Sequence, residues 1–205
     1  MISSFSFRPL VLSLMGAMAL TGLLAACSSD PTLYALAPVP GVPQAGGPVV
    51  VEVRTPVVSA RLDRDTIVKS SSDYQLKLAA GASWSEALPD MIAHTLSTDL
   101  AQRLPGTTVF AENDAVTTTA AAYVELTIRN FEADARGYAL VNGMLSVHPA
   151  GKMIGPVMTV PVSWRSSEPV ASETARLAAA LSQGVAAIAD QAAASVRTLP
   201  PPVHD

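Results

Sequence analysis

Tyr123-Val124-Glu125-Leu126-Thr127-Ile128-Arg129-Asn130-Phe131-Glu132 alternates apolar with polar side chains along its length. A period of two is that of a β-strand half buried against a core. Val124, Leu126 and Ile128 then share the core face, with Tyr123, Glu125, Thr127, Arg129 and Phe131 on the other. Glu125, Arg129 and Glu132 read as a charged ladder facing solvent. Downstream, residues 139–147 and 157–164 are expected as two more strands. A turn at Pro149-Ala150-Gly151-Lys152 and a Gly/Pro segment at Gly155-Pro156 join them. Three strands linked this closely make an antiparallel meander. Residues 171–198 are Ala-rich, with Leu177, Leu181, Val185, Ile188, Ala192, Val196 and Leu199 in one stripe. This is a helix whose narrow, small-residue face allows close approach to its neighbours, and Pro200-Pro201-Pro202 stops it.

Upstream, residues 107–111 are a strand candidate followed by a loop over 112–119. Before them Trp84, Leu88, Ile92, Leu96, Leu100 and Leu104 recur every four residues, and Ser83 and Glu86 have capping-box spacing. The spacing predicts an amphipathic helix ending near Pro105-Gly106. Pro89 would remove a backbone bond inside it, so the helix either kinks there or its regular part begins there. Residues 66–70 and 74–78 form a predicted hairpin around a Ser71-Ser72-Asp73 turn. Val49-Val50-Val51-Glu52-Val53-Arg54 is β-branched and bounded by Pro48 and Pro56, which predicts a central strand buried on both faces. A short strand over 32–36 and a Pro/Gly loop over 38–48 precede it. The fold class is α+β: one domain over residues 49–199, a mixed or antiparallel sheet of six or seven strands, and two long helices on one face.

The N-terminal segment has a different character. Arg8 precedes an apolar run over 9–23, which ends in Leu24-Ala25-Ala26-Cys27 and is followed by Ser28-Ser29-Asp30-Pro31. A charged start, a short apolar core and small residues before a polar turn make a secretory signal over 1–26. The run is shorter than the roughly 20 apolar residues a membrane-spanning helix needs. Leu24-Ala25-Ala26-Cys27, with the single cysteine of the chain, resembles the bacterial lipobox. Cleavage before Cys27 and acylation of its thiol and new amine would leave residues 27–48 as a lipidated tether carrying the short first strand. Residues 200–205 are a C-terminal tail. In the enterobacterial sorting rule Asp after the lipidated cysteine retains a lipoprotein at the inner membrane. Ser28 stands there, so the outer membrane is expected, with inner-membrane retention as the alternative.

Without residues 1–26, 179 residues remain, with 12 basic and 17 acidic side chains. No basic stripe survives for nucleic acid. With Cys27 taken by lipid, no disulfide can form, and folding rests on packing. His94, His148 and His204 lack metal-ligand spacing. No phosphate-binding glycine loop, nucleophile elbow or Ser-x-x-Lys pattern occurs. No metal, cofactor or catalytic residue is expected. Asp63, Arg64 and Asp65 cluster as a solvated loop or a partner-binding one. Trp164, at a strand end, is open between core and interface; Trp84 reads as a core anchor at the first helical turn.

Several pieces then occur in a family's order. They are the lipobox, Tyr34-Ala35-Leu36, the valine-rich strand, Leu62-Asp63-Arg64-Asp65-Thr66-Ile67-Val68, Trp84-Ser85-Glu86-Ala87-Leu88, and the strand from Val124 to Glu132. Together they resemble the ABC-type transport auxiliary lipoprotein family, which includes the paraquat-inducible protein C lipoproteins. Ala87 stands where that family commonly has proline, and Pro89 comes two residues later, which favours a shifted helix start. The resemblance implies a non-enzymatic, periplasm-facing lipoprotein working with an inner-membrane permease and a mammalian-cell-entry (MCE) domain protein in lipid transport, as a homo-oligomer. The exposed faces of 57–69 and 138–147 are the expected subunit contacts. The alternative function is activation of a peptidoglycan synthase.

Overall fold

Twelve-residue strand β7 (Ala122–Ala133) is the spine of the molecule, and its two edges are used differently. The computed structural model describes residues 30–199 except Asp73 and residues 152–156. The signal segment, Cys27, Ser28, the Lys152 and Gly155-Pro156 connection, His204 and the tail lie outside the described residues. Along one edge β7 pairs with antiparallel β8 (Tyr138–Pro149), which pairs in turn with antiparallel β9 (Met158–Pro169), the meander expected from the alternation. Along its other edge three short strands, all parallel to it, follow one another: β2 (Val50–Val53), β3 (Val57–Val58) and β4 (Thr66–Ser72). Strand β2 carries parallel β6 (Thr108–Ala111) on its far side. Strand β4 turns antiparallel into β5 (Gln75–Trp84), and β1 (Thr32–Tyr34) lies parallel against β5.

The class is α+β with a mixed, open sheet, and the strand count is nine among the described residues, above the six or seven expected. The short first strand expected over 32–36 forms as β1, and the strand without a counterpart in the reading is β3, whose two residues are too few for a periodicity to register. Strand β2 is central, between β6 and β7, but only Val51 and Val53 are fully buried; Val50 and Glu52 remain partly exposed. Its apolar run serves one face rather than both.

Helices α1 (Leu88–Arg103) and α2 (Thr174–Arg197) pack against each other and against the face carrying Val124, Leu126, Ile128, Val141, Leu145 and Val162. Helix α1 starts at Leu88 with Pro89 in its first turn, where a missing N–H costs nothing. The Ser83/Glu86 spacing is therefore not a cap. Ser83 pairs with Thr66 and Leu33 inside the sheet, and the Trp84 N–H donates to the Asp65 carbonyl. Trp84 ends a strand rather than opening a helix, and it packs at 6.2 Å against Phe131. Likewise Ser71 and Ser72 continue β4 instead of turning.

The Phe131 contact exposes a break in the alternation. Between Ile128 and Asn130 the β7–β8 register shifts, a β-bulge at Arg129. An extra residue inverts the side-chain phase, so Phe131 and Ala133 turn into the core, and Glu132 lies on the opposite side, away from them. Glu132 is nonetheless 4% exposed, so the solvent-facing ladder holds for Glu125 and Arg129 but not for it.

Residues 38–48, expected as a loop, form with the two residues before them a strap across both helices. Val39 N–H donates to Asp99 (2.7 Å), Ala37 N–H to Ser182 (3.1 Å), and Gln44 N–H to the Arg103 carbonyl (2.7 Å). Arg103, 2% exposed, donates to the Val39 and Asp99 carbonyls and pairs with Asp190, and its guanidinium fills the space beside Gly41 that a side chain would need. Arg197 holds Ala45 and Gln44 from the end of α2.

Candidate surface site on the open sheet face

Because both helices cover one face, no described element covers the other face of β7, β8 and β9, the bare face of the sheet. Two clefts, each open to solvent, mark its opposite ends.

The first lies beside the β4–β5 hairpin, about 470 Å³, between Tyr74 and Leu76 on one side and Asn130, Glu132 and Leu140 on the other. Its floor is an ion pair that the bulge creates. Arg61 lies bidentate on Glu132 at 2.5 and 2.9 Å, with a third bond to the Arg129 carbonyl at 2.8 Å. Asn130 donates to the same carboxylate at 2.8 Å. A fork-to-fork pair fixes orientation as well as charge, so the loop from β3 to β4 is pinned at Arg61. At the cleft's rim Asp134 closes the β7–β8 turn. Burial alone would raise its carboxyl, but the Tyr138 and Arg136 N–H groups and the Arg165 guanidinium outweigh that and hold it below its ordinary value. Arg165 also stacks over the Tyr138 ring at 3.8 Å.

The second cleft, about 490 Å³, lies where β2 and β3 meet β7, lined by Arg54, Thr55, Val57, Glu125, Thr127 and Met144. Arg54 bridges Glu112 (2.7 Å) and Glu52 (3.1 Å) and sits 4.4 Å over the Tyr123 ring. The Thr55 N–H, then Arg54, hold the Glu112 carboxyl below its usual range. His148 packs at a tilt against Tyr123, ring centres 5.4 Å apart, and approaches Glu125 at 3.5 Å. Val57 and Met144, from the two segments expected to contact other subunits, line this one cleft.

Asp63, Arg64 and Asp65 follow Arg61 in the same loop with exposed side chains, none ion-paired to a described residue. Trp164 is not brought to them. It lies half buried under α2, against Gly184, where even a Cβ would come within 3.0 Å of its ring. His94 is half buried, between Glu86 (3.2 Å) and Asn113 (3.1 Å). Among the described residues no group of three His, Cys, Asp or Glu could hold a metal ion, and no helix is long and apolar enough to cross a membrane. Arg61, Asn130 and Tyr74 escaped the sequence reading. The one visible trace was a carboxylate, Glu132, beside a large aromatic at the end of an alternating run.

These features define an open-faced α+β domain whose two described clefts open onto its surface. The family model for the ABC-type transport auxiliary lipoprotein component matches residues 32–193, and the chain belongs to that family. Its members are auxiliary lipoproteins of transporters. An uncharacterized protein of known crystal structure is similar with a TM-score of 0.65 at 18% identity, over 82% of this chain and 99% of that one. A DUF330-family protein from Xanthomonas campestris is similar with a TM-score of 0.57 at 19% identity, over 82% and 93%. Both likenesses concern the fold. No curated protein sequence matches the chain.

Proposed function

We propose that this chain is a non-catalytic accessory subunit of an ABC-type system that moves lipid across the cell envelope with an inner-membrane permease and an MCE-domain protein. In this reading residues 1–26 are removed and Cys27 is acylated, which anchors the domain at the outer membrane facing the periplasm. Acyl chains on one residue exceed the two-signal threshold for stable attachment. The observation that carries the reading is the extent of the family match, which runs from β1 to within α2 and so takes in both clefts of the bare face. The part of that face around the second cleft is the assembly surface, for further copies of the chain and for the transport partner. Asp63, Arg64 and Asp65 are a further partner contact, and Trp164 shapes the face from behind through β9.

Deleting the gene should sensitise cells to membrane-active compounds, and the wild-type gene should restore resistance while Cys27→Ser does not. Full resistance in the deletion strain, or stimulation of a purified peptidoglycan synthase by the protein, would contradict the transport role.

A further inference from the structure

Tyr74 is fully exposed at the tip of the β4–β5 hairpin, and Leu76 and Leu78 behind it are 45% and 49% exposed. Two residues apart on one strand, the leucines point to the same face. Exposed Lys77 points to the other. On the adjoining strand Leu33 is 62% exposed. Apolar side chains gathered on one projecting element mark a contact surface rather than the scattered exposure of ordinary surfaces.

The register says what that surface meets. Strand β1 runs parallel to β5, with Thr32 opposite Ala82 and Tyr34 opposite Trp84. The start of β1 therefore points the same way as the start of β5, which is the hairpin tip. Thr32 follows Cys27 by only five positions, and at about 3.5 Å per position the span is no more than roughly 18 Å. From Ala82 to Leu76 is six residues, at most about 20 Å of strand. A lipid on Cys27 thus lets the bilayer reach these side chains when the tether runs on in the direction from which β1 begins.

We propose that the β4–β5 hairpin rests in the interface of the bilayer that holds the Cys27 lipid, with Tyr74, Leu76 and Leu78 among the head groups and upper acyl chains. The proposal rests on acylation of Cys27. Tyr has the apolar ring and polar tip that interfaces select. Lys77 extends its amine toward lipid phosphates from the other side of the strand. Such a second contact changes a lipid tether from a swivel into an orienting mount. Strand β7 begins at the second cleft and ends beside β4, so the mount turns the second cleft away from the membrane.

The test uses the full-length lipoprotein carrying Leu76→Cys or Thr127→Cys, Cys27 being blocked by its lipid. The new thiol is labelled with nitrobenzoxadiazole and the protein is reconstituted into vesicles of phosphatidylethanolamine and phosphatidylglycerol. Doxyl-labelled lipid should quench the position-76 label by half or more and leave the position-127 label unchanged. Protein that floats with the vesicles but shows no quenching at position 76 would overturn the hairpin contact and leave the anchor standing. Protein that does not float would overturn both. A position-76 label shielded from doxyl lipid and aqueous iodide alike would place another protein copy on the hairpin, and would also overturn the proposal.

Discussion

Gly143 lies directly against the Thr127 carbonyl across the β7–β8 ladder, at the point where the register shifts. A Cβ at 143 would collide with that backbone oxygen, and backbone, unlike a side-chain tip, cannot swing aside. The bulge at Arg129 and the glycine facing it are one device. Gly143→Ala is expected to cost about 3 kcal/mol through overpacking, seen as a lower urea midpoint. Because Phe131 and Glu132 take their directions from the bulge, near-ultraviolet circular dichroism of the Trp84–Phe131 pair should change as well. A variant with wild-type midpoint and spectrum would show that the bulge does not need glycine there.

Arg61→Ala removes the partner of a carboxylate that is itself almost inaccessible to water. A fully buried pair broken this way loses several kcal/mol, but the Arg61 side chain is 31% exposed and solvent can partly replace it. A loss of about 1–2 kcal/mol is expected. Arg61→Ala/Glu132→Gln should recover part of it, since the amide leaves no bare charge. A double variant whose loss equals the sum of the Arg61→Ala and Glu132→Gln losses would mean the two side chains are uncoupled.

Asp99 titrates against the usual direction for a carboxylate in a folded protein. Burial raises it from 3.8 to about 6, over the opposing effects of the Val39 N–H and Arg103, and Asp190 adds to the rise. One of its oxygens, Oδ2, has no hydrogen-bond partner among the described residues. The native state therefore holds a proton that the unfolded chain has released between those two values. Its contribution to stability is full below about pH 4 and is lost as pH rises through 6. Glu112 and Asp134 act oppositely, losing their contribution as pH falls through their lowered values. Denaturation midpoints across pH 4–7 should decline toward neutrality, and Asp99→Asn should flatten that slope. An unchanged slope in the variant would assign it elsewhere.

Thr127 is exposed at the centre of the second cleft and takes no part in the core. Thr127→Arg should leave the thermal midpoint within about 2 °C, as surface changes do. If the part of the bare face around this cleft is the assembly surface, light scattering should show a smaller particle than the wild type. An unchanged particle would place subunit contacts elsewhere.

Much of this architecture could be read in the residues, for reasons that also explain the misses. The alternation of Val124, Leu126 and Ile128 and the four-residue recurrence from Leu88 to Leu100 are signatures of burial, and both faces formed as read. The bulge left no mark on its own strand, because any residue type can occupy it; its trace was Gly143 on the neighbouring strand. Ser83 and Glu86 matched a cap by spacing while the backbone around Ser83 was already committed to sheet pairing on both sides. The strap looked like a free loop because its partners, Asp99 and Arg103, are remote in sequence. A charged pair within an apolar helix stripe was the sign. The candidate site was least legible, since the Arg61–Glu132 floor depends on the inverted phase after the bulge.

Co-purification tests the central claim most directly. Full-length protein, affinity-tagged and solubilised from native membranes in mild detergent, should bring down an MCE-domain protein and its permease, and Thr127→Arg should reduce that recovery at least tenfold. Recovery of neither partner with wild-type protein that remains lipidated and folded would contradict the account.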